Sequence, residues 1–220
     1  MKVHEEFLGI SGEVCFFHQG CLTYFVRLAG CNLSCKWCDT KRSQKDQDSD
    51  YIALCGEILE RVLSSGARHV LITGGEPLVQ FYSTHNLIRQ LYFRGIHVSI
   101  ETNGSIFWEF NYANENVSFV VDYKMESSGM KDQMLPFHQY LFLNKQDFLK
   151  MVVATEGDFE EAIALLKTEW SCRAFRPVIS PMMVDGRSMF PVQYIIDRLW
   201  KEKITDVILS IQMHKILNVR

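Results

Sequence analysis

Three cysteines fall within one short stretch, Cys31-Asn-Leu-Ser-Cys35-Lys-Trp-Cys38. Three thiolates in one loop can hold three corners of a 4Fe-4S cluster and leave the fourth iron open to an exchangeable ligand. Clusters that only carry electrons normally take four cysteines, so three point to chemistry at the open corner. The spacing also lies within zinc-ligand ranges, and a structural zinc site completed by His18, Cys15 or Cys21 is the alternative. Asn32, Ser34, Lys36 and Asp39 make the surroundings polar, which argues against three ordinary buried thiols. Cys15, Cys21, Cys55 and Cys172 are scattered and read as ordinary small residues.

A loop of this kind needs a scaffold. The apolar runs 24–28, 69–73, 97–101, 118–121, 150–154, 174–179 and 206–211 read as strands. Between them, 51–65, 83–94, 158–168 and 192–201 keep helical spacing, with Asp50 placed to cap the first and Gly66 and Gly95 to close the first two. Strands of near-continuous apolar character alternating with helices predict a parallel sheet covered by helices. The strands fall short of the eight of a closed barrel. The expected architecture is α/β, a partial, open (β/α) barrel of about six to seven mostly parallel strands, with a flat doubly wound sheet as the other candidate.

Polar and glycine-rich residues recur just after the strands: Gly74-Gly75-Glu76-Pro77, Glu101-Thr102-Asn103-Gly104, Asp122-Tyr123-Lys124, Ser180-Pro181 and Gln212-Met213-His214-Lys215. In a parallel sheet these positions share the C-terminal edge, where α/β enzymes place their chemistry.

The chain has 220 residues, 47% of them hydrophobic, with 23 Lys+Arg against 26 Asp+Glu and a formal net charge of −3. That composition excludes a disordered chain, and the lack of basic excess argues against a nucleic-acid or anionic-membrane partner. No apolar run approaches the length of a membrane span. Early Glu5 and Glu6 and the breaks at Gly9 and Gly12 leave no signal-peptide core. Seven cysteines without an export signal fit a reducing compartment, so a cytoplasmic protein is expected. We find no repeat or linker and expect a single domain over 1–220, with Lys41–Asp50 as a solvated loop.

The cysteine triplet, with an aromatic residue before its last member, resembles the signature of radical S-adenosylmethionine (SAM) enzymes, and Gly74-Gly75-Glu76-Pro77 is similar to their GGEP motif. In that superfamily the open iron chelates the amino and carboxylate groups of SAM, and reduction yields a 5′-deoxyadenosyl radical. The family's glycines let backbone approach the methionyl amino group. With Ile10-Ser11-Gly12-Glu13, the run from Phe25 to Leu33, Trp37-Cys38-Asp39-Thr40, Glu101-Thr102-Asn103-Gly104 and Gln212-Met213-His214-Lys215, the resemblance narrows to the 7-carboxy-7-deazaguanine synthase family. That family converts 6-carboxy-5,6,7,8-tetrahydropterin to 7-carboxy-7-deazaguanine with loss of ammonia, on the route to queuosine and related 7-deazapurines. It uses SAM catalytically and is helped by Mg²⁺.

Residue by residue, the resemblance implies that Cys31, Cys35 and Cys38 hold the cluster. Trp37, Cys38, Asp39, Gly75, Glu76, Asn103, Lys124 and Ser180 would bind SAM, and Thr40 would be the Mg²⁺ ligand. Ile10, Ser11, Gly12, Arg27, Thr73, His214 and Arg220 would meet the pterin. Arg27 is charged inside an otherwise apolar strand, which is costly unless it meets an anion such as a carboxylate. The resemblance further implies a flavodoxin-like or ferredoxin reductant and a homodimer.

The chain also departs from the family. Ser11 stands where Gln is common, and Asp122-Tyr123 replaces Ser-Pro. The segment between Glu13 and Phe25 is longer than in many members. Two other readings are a radical SAM activase for a glycyl-radical partner, and a non-enzymatic zinc or iron–sulfur binding module.

Overall fold

Strands buried on both faces must be apolar on both, and this chain builds its sheet from such runs. The structure, a computed structural model, describes residues 1–45, 47, 49–107, 116–168 and 173–219. The elements are β1 (Lys2–Ile10), β2 (Leu22–Leu28), β3 (Tyr51–Ile52), α1 (Cys55–Ser65), β4 (His69–Gly74), α2 (Phe81–Tyr92), β5 (His97–Thr102) and β6 (Val117–Tyr123). They continue with β7 (Phe148–Val153), α3 (Glu156–Thr168), β8 (Arg176–Pro181), β9 (Met183–Val184), β10 (Arg187–Ser188), α4 (Val192–Lys201), β11 (Ile208–Leu209) and α5 (Met213–Leu217). One sheet runs β11-β8-β7-β6-β5-β4-β2-β1-β3, and β9 pairs with β10 separately.

From β2 to β11 every pairing is parallel, so the strands read from the apolar runs form the sheet's continuous parallel part. Its parallel strands follow chain order without the reversal of a doubly wound sheet, and its two edges, β11 and β3, do not meet, so the sheet is an open partial barrel. Antiparallel β1 and β3 extend it beyond expectation. β1 escapes a reading by apolar runs because Glu5 and Glu6 interrupt it; their carboxylates are answered by Arg27 and Arg61.

The helix expected over 51–65 starts at Cys55, because Tyr51 and Ile52 pair with β1. Asp50 therefore lies ahead of β3 and does not cap the helix; the Glu57 carboxylate accepts the Leu54 N–H there at 2.9 Å. The last strand shortens to Ile208–Leu209, since the chain then turns into α5.

The two faces of the sheet divide the labour. On the outer face Val26, Ile72, Ile100, Val121 and Met151 pack against Ile58, Val62, Leu87, Leu91 and Phe159 from the helices. Each such side chain, once buried, contributes about 1.5–3 kcal/mol. Val14 and Phe16 from the β1–β2 loop plug the inner face against Val120, Phe148 and Val178. Above that plug, the inner face turns polar.

Candidate active site

The cysteine loop leaves the end of β2 and is stitched to its neighbours by main-chain bonds. Gly30 N donates to Ser43 O at 2.9 Å and Cys31 N to Gln44 O at 2.7 Å. Gly75 N donates to Leu28 O at 2.9 Å and Glu76 N to Gly30 O at 2.8 Å. The backbones cross so closely that a Cβ on Gly74 would lie 2.1 Å from Leu28 O, and one on Gly75 2.1 Å from Gly30 O. The glycine pair thus has a reason inside the protein: no other residue allows β4 to cross the cysteine loop.

Glu76 lies behind this crossing, fully buried. Its carboxylate accepts Leu78 N at 2.9 Å, Thr102 Oγ1 at 2.7 Å and Asn103 N at 2.6 Å, tying β4 to the end of β5. Burial pushes its pKa up to about 6, against the pull of those donors.

Cys31, Cys35 and Cys38 are free, partly exposed thiols that line a cavity of about 420 Å³. Their sulfurs do not gather within 4.8 Å of one another, as donors to a single ion would. Leu33 N and Asn103 Nδ2 are aimed at Cys31 Sγ, at 3.4 and 3.7 Å. Burial raises the Cys31 and Cys35 thiols, so loading a metal group there releases protons. Cys15 and Cys21, candidates to complete a zinc site, gather instead around His69.

The rest of the cavity is a charged wall built by inward-facing positions of successive strands. Arg27 donates through Nε to Glu5 Oε1 at 2.8 Å, and its terminal nitrogens have no acceptor among the described residues. Thr73 Oγ1 donates to Glu101 Oε2 at 2.9 Å. Asp122 meets Lys124 at 2.6 Å and Lys150 at 3.0 Å, and Lys150 also binds Glu13. Gln212 Nε2 donates to Glu13 Oε1 at 2.6 Å, Lys215 Nζ to Gln212 Oε1 at 2.7 Å, and Lys215 lies 3.3 Å from Asp39.

The pKa values follow from this packing. Burial and the neighbouring Glu13 charge push Glu101 up to about 7. Burial alone would raise Asp122, yet Lys124 and Lys150 hold it below the usual carboxylate value. Burial opposes the charge on Lys124 too, and Asp122 overcomes it.

Ile10, Gly12, Arg27, Trp37, Asp39, Thr40, Thr73, Gly75, Asn103, Lys124 and His214 all line the same cavity as the three thiols. Ser11, Glu76 and Ser180 do not: each is buried beside it. Ser11 Oγ reaches Glu13 O at 3.4 Å. Arg220 lies outside the described residues, as does Cys172. Thr40 precedes a short 3₁₀ turn without capping it through its side chain, and its hydroxyl lies 3.8 Å from Cys38 Sγ.

Sequence reasoning passed over Glu5 and Lys150 as site residues, and it quoted Gln212 and Lys215 in a motif without giving them a role. Lys150 carried a readable signal, the same one as Arg27: a charge inside the apolar strand Phe148–Val153. The tail closes one side, with Met213 N donating to Gly12 O at 2.8 Å and Gln19 Nε2 to Ile211 O at 2.9 Å.

A family model described as the radical SAM superfamily matches residues 26–121, which include the cysteine loop and the glycine crossing. The 7-carboxy-7-deazaguanine synthase of Clostridium acetobutylicum is 36% identical over 219 residues, covering 98% of this chain and 95% of the relative. The chain belongs to the 7-carboxy-7-deazaguanine synthase family. The enzyme of that name from Methanospirillum hungatei is 37% identical over 162 residues, 74% of this chain and 65% of the relative. The solved structure of QueE from Escherichia coli matches the fold with a TM-score of 0.72 at 24% identity, covering 96% of this chain and 93% of that one.

As a radical SAM family, these synthases use a 4Fe-4S cluster and SAM. The residues present fit those groups. Three free thiols share the cavity wall, and the buried Trp37 Nε1 has no partner among the described residues.

Proposed function

We propose that this chain converts 6-carboxy-5,6,7,8-tetrahydropterin to 7-carboxy-7-deazaguanine with loss of ammonia. The observation that carries the reading is the shared cavity: the Arg27 guanidinium, whose terminal donors have no acceptor among the described residues, opens onto the same space as the three thiols. A guanidinium fork matches a carboxylate in two parallel hydrogen bonds, which suits the substrate's carboxyl group.

Cys31, Cys35 and Cys38 would hold the cluster, and Trp37, Asp39, Gly75, Asn103 and Lys124 would lie along SAM. Bound there, the cluster and SAM supply one-electron chemistry that abstracts a hydrogen atom. The protein's part is to bind, orient and exclude water. Thr40 would offer one oxygen to Mg²⁺, whose remaining positions go to substrate and water. Ile10, Gly12, Thr73 and His214 form the wall around the pterin, and Glu101 presents a carboxyl to its ring N–H groups. Ser180 and Glu76 would act through packing, Ser180 at the end of β8 and Glu76 by fixing Asn103.

A cavity walled by the tail and the β1–β2 loop suits a small molecule better than a protein glycyl loop. The electron donor of this reading is a flavodoxin-like protein or a ferredoxin, and the setting is cytoplasmic; among the described residues no helix is long and apolar enough to cross a membrane. The assembly of this reading is a homodimer, for which the exposed Leu8, Leu22 and Ile52 offer apolar surface; light scattering tests it.

The deciding experiment is anaerobic incubation of the reconstituted protein with SAM, Mg²⁺, dithionite and the carboxytetrahydropterin. The deazapurine acid is the expected product. Release of 5′-deoxyadenosine without it overturns the substrate assignment.

A further inference from the structure

The opposite end of the sheet carries a second cluster of soft ligands. Cys15 Sγ, Cys21 Sγ and a ring nitrogen of His69 lie within 4.8 Å of one another, the one such set among the described residues. His69 opens β4 and Gly74 closes it, so the set sits about 17 Å of strand away from the cysteine loop. Both cysteines belong to the loop between β1 and β2.

The geometry is that of a metal site. Cys21 Sγ is 3.4 Å from His69 Nδ1. Tetrahedral zinc, with Zn–S of about 2.3 Å and Zn–N of about 2.0–2.1 Å, sets that edge at about 3.6 Å. One ring nitrogen is already held: Nε2 meets Ser99 Oγ at 2.9 Å, and Ser99 meets Ser118 Oγ at 3.3 Å. Nδ1 itself meets Thr23 Oγ1 at 2.9 Å, a bond that the ion replaces, and Thr23 then keeps its hydrogen bond to Cys21 O at 3.0 Å. Such an outer partner on the second ring nitrogen is what holds ligating histidines in place. Phe17 stacks on the ring at a centroid distance of 5.4 Å. Ser11 N donates to Cys21 O at 2.9 Å and Gly20 N to Ser11 O at 2.8 Å, closing the neck of the loop that brings both thiols to His69.

We propose that Cys15 Sγ, Cys21 Sγ and His69 Nδ1 bind one zinc ion, with water in the fourth position, as a clasp between the β1–β2 loop and the start of β4. Two thiolates and one imidazole are a zinc donor set, and the ion requires no redox partner. On binding, the two thiol protons leave to solvent. The clasp lies a few residues from Gly12 and Glu13, so it steadies the cavity wall without touching substrate.

The test is the metal content of the cluster-loaded protein, produced with supplied zinc and desalted anaerobically. One zinc per chain is expected beside the iron, with a zinc X-ray absorption spectrum of two sulfur and two nitrogen or oxygen neighbours. Cys21→Ser and His69→Gln should each lower zinc at least about tenfold and leave iron unchanged. Cys31→Ala should lose iron and keep zinc, which separates this site from the cluster assignment. A zinc-free wild type overturns the proposal, as does zinc with three or more sulfur neighbours, or a mass two hydrogens light from a Cys15–Cys21 disulfide. None of these readouts depends on the proposed reaction.

Discussion

Gly12 lies flush against His214: a Cβ at position 12 would come within 2.1 Å of the imidazole Nδ1. The tail reaches the cavity only because that position has no side chain. Gly12→Ala should push the ring off its place at a cost of about 1–3 kcal/mol, the usual range for overpacking. Substrate affinity is expected to fall at least about tenfold. In a His214→Ala background the same substitution should cost far less, and isothermal titration over the double-mutant cycle reads the difference.

Glu76 answers three donors from inside the protein. Glu76→Gln keeps the shape but turns an amide N–H₂ toward at least one of them. The expected loss is about 2–3 kcal/mol. A lower urea midpoint with an unchanged slope would show it. Weaker SAM binding should accompany it, since Asn103 N is one of the three donors.

Glu101 binds its proton more tightly in the fold, with a pKa of about 7, than at its ordinary value of 4.5. The stability contributed by that proton is complete below about pH 4.5 and is lost as pH rises through about 7. At most it amounts to about 3 kcal/mol. Glu101→Gln should raise the Tm of the ligand-free protein at pH 8 more than at pH 5.5. Equal shifts at the two pH values would contradict the assignment.

Asn103 Nδ2 lies 3.7 Å from Cys31 Sγ. Hydrogen bonds to cluster sulfurs favour the reduced form and raise the potential. Asn103→Ala should therefore lower the midpoint potential of the reconstituted cluster, on the order of tens of millivolts. Spectroelectrochemistry measures this without substrate.

Legibility in the sequence tracked distance along the chain. The cysteine triplet and the glycine motif are local patterns, and a family resemblance could rest on them. The parallel strands were readable because each is an apolar run bounded by polar punctuation. β1 was not, since its charges look like loop until Arg27 and Arg61 answer them across the sheet. Arg27 announced itself by a charge in an apolar strand, and Lys150 carried the same mark. What Lys150 does was beyond reach, because its partner Glu13 is 137 residues away. The resemblance assigned Ser11 and Ser180 to the site, yet both are buried and neither lines the cavity.

The crossing of Gly74 and Gly75 over Leu28 and Gly30 bears on how the protein matures. Four main-chain hydrogen bonds, none of them made by a thiol, hold the thiol loop to Ser43, Gln44 and the start of the GGEP turn. A loop held by its backbone predicts that metallation is a filling event rather than a folding one. Iron-free protein should keep its helical circular dichroism and accept iron and sulfide at once, with no slow refolding phase.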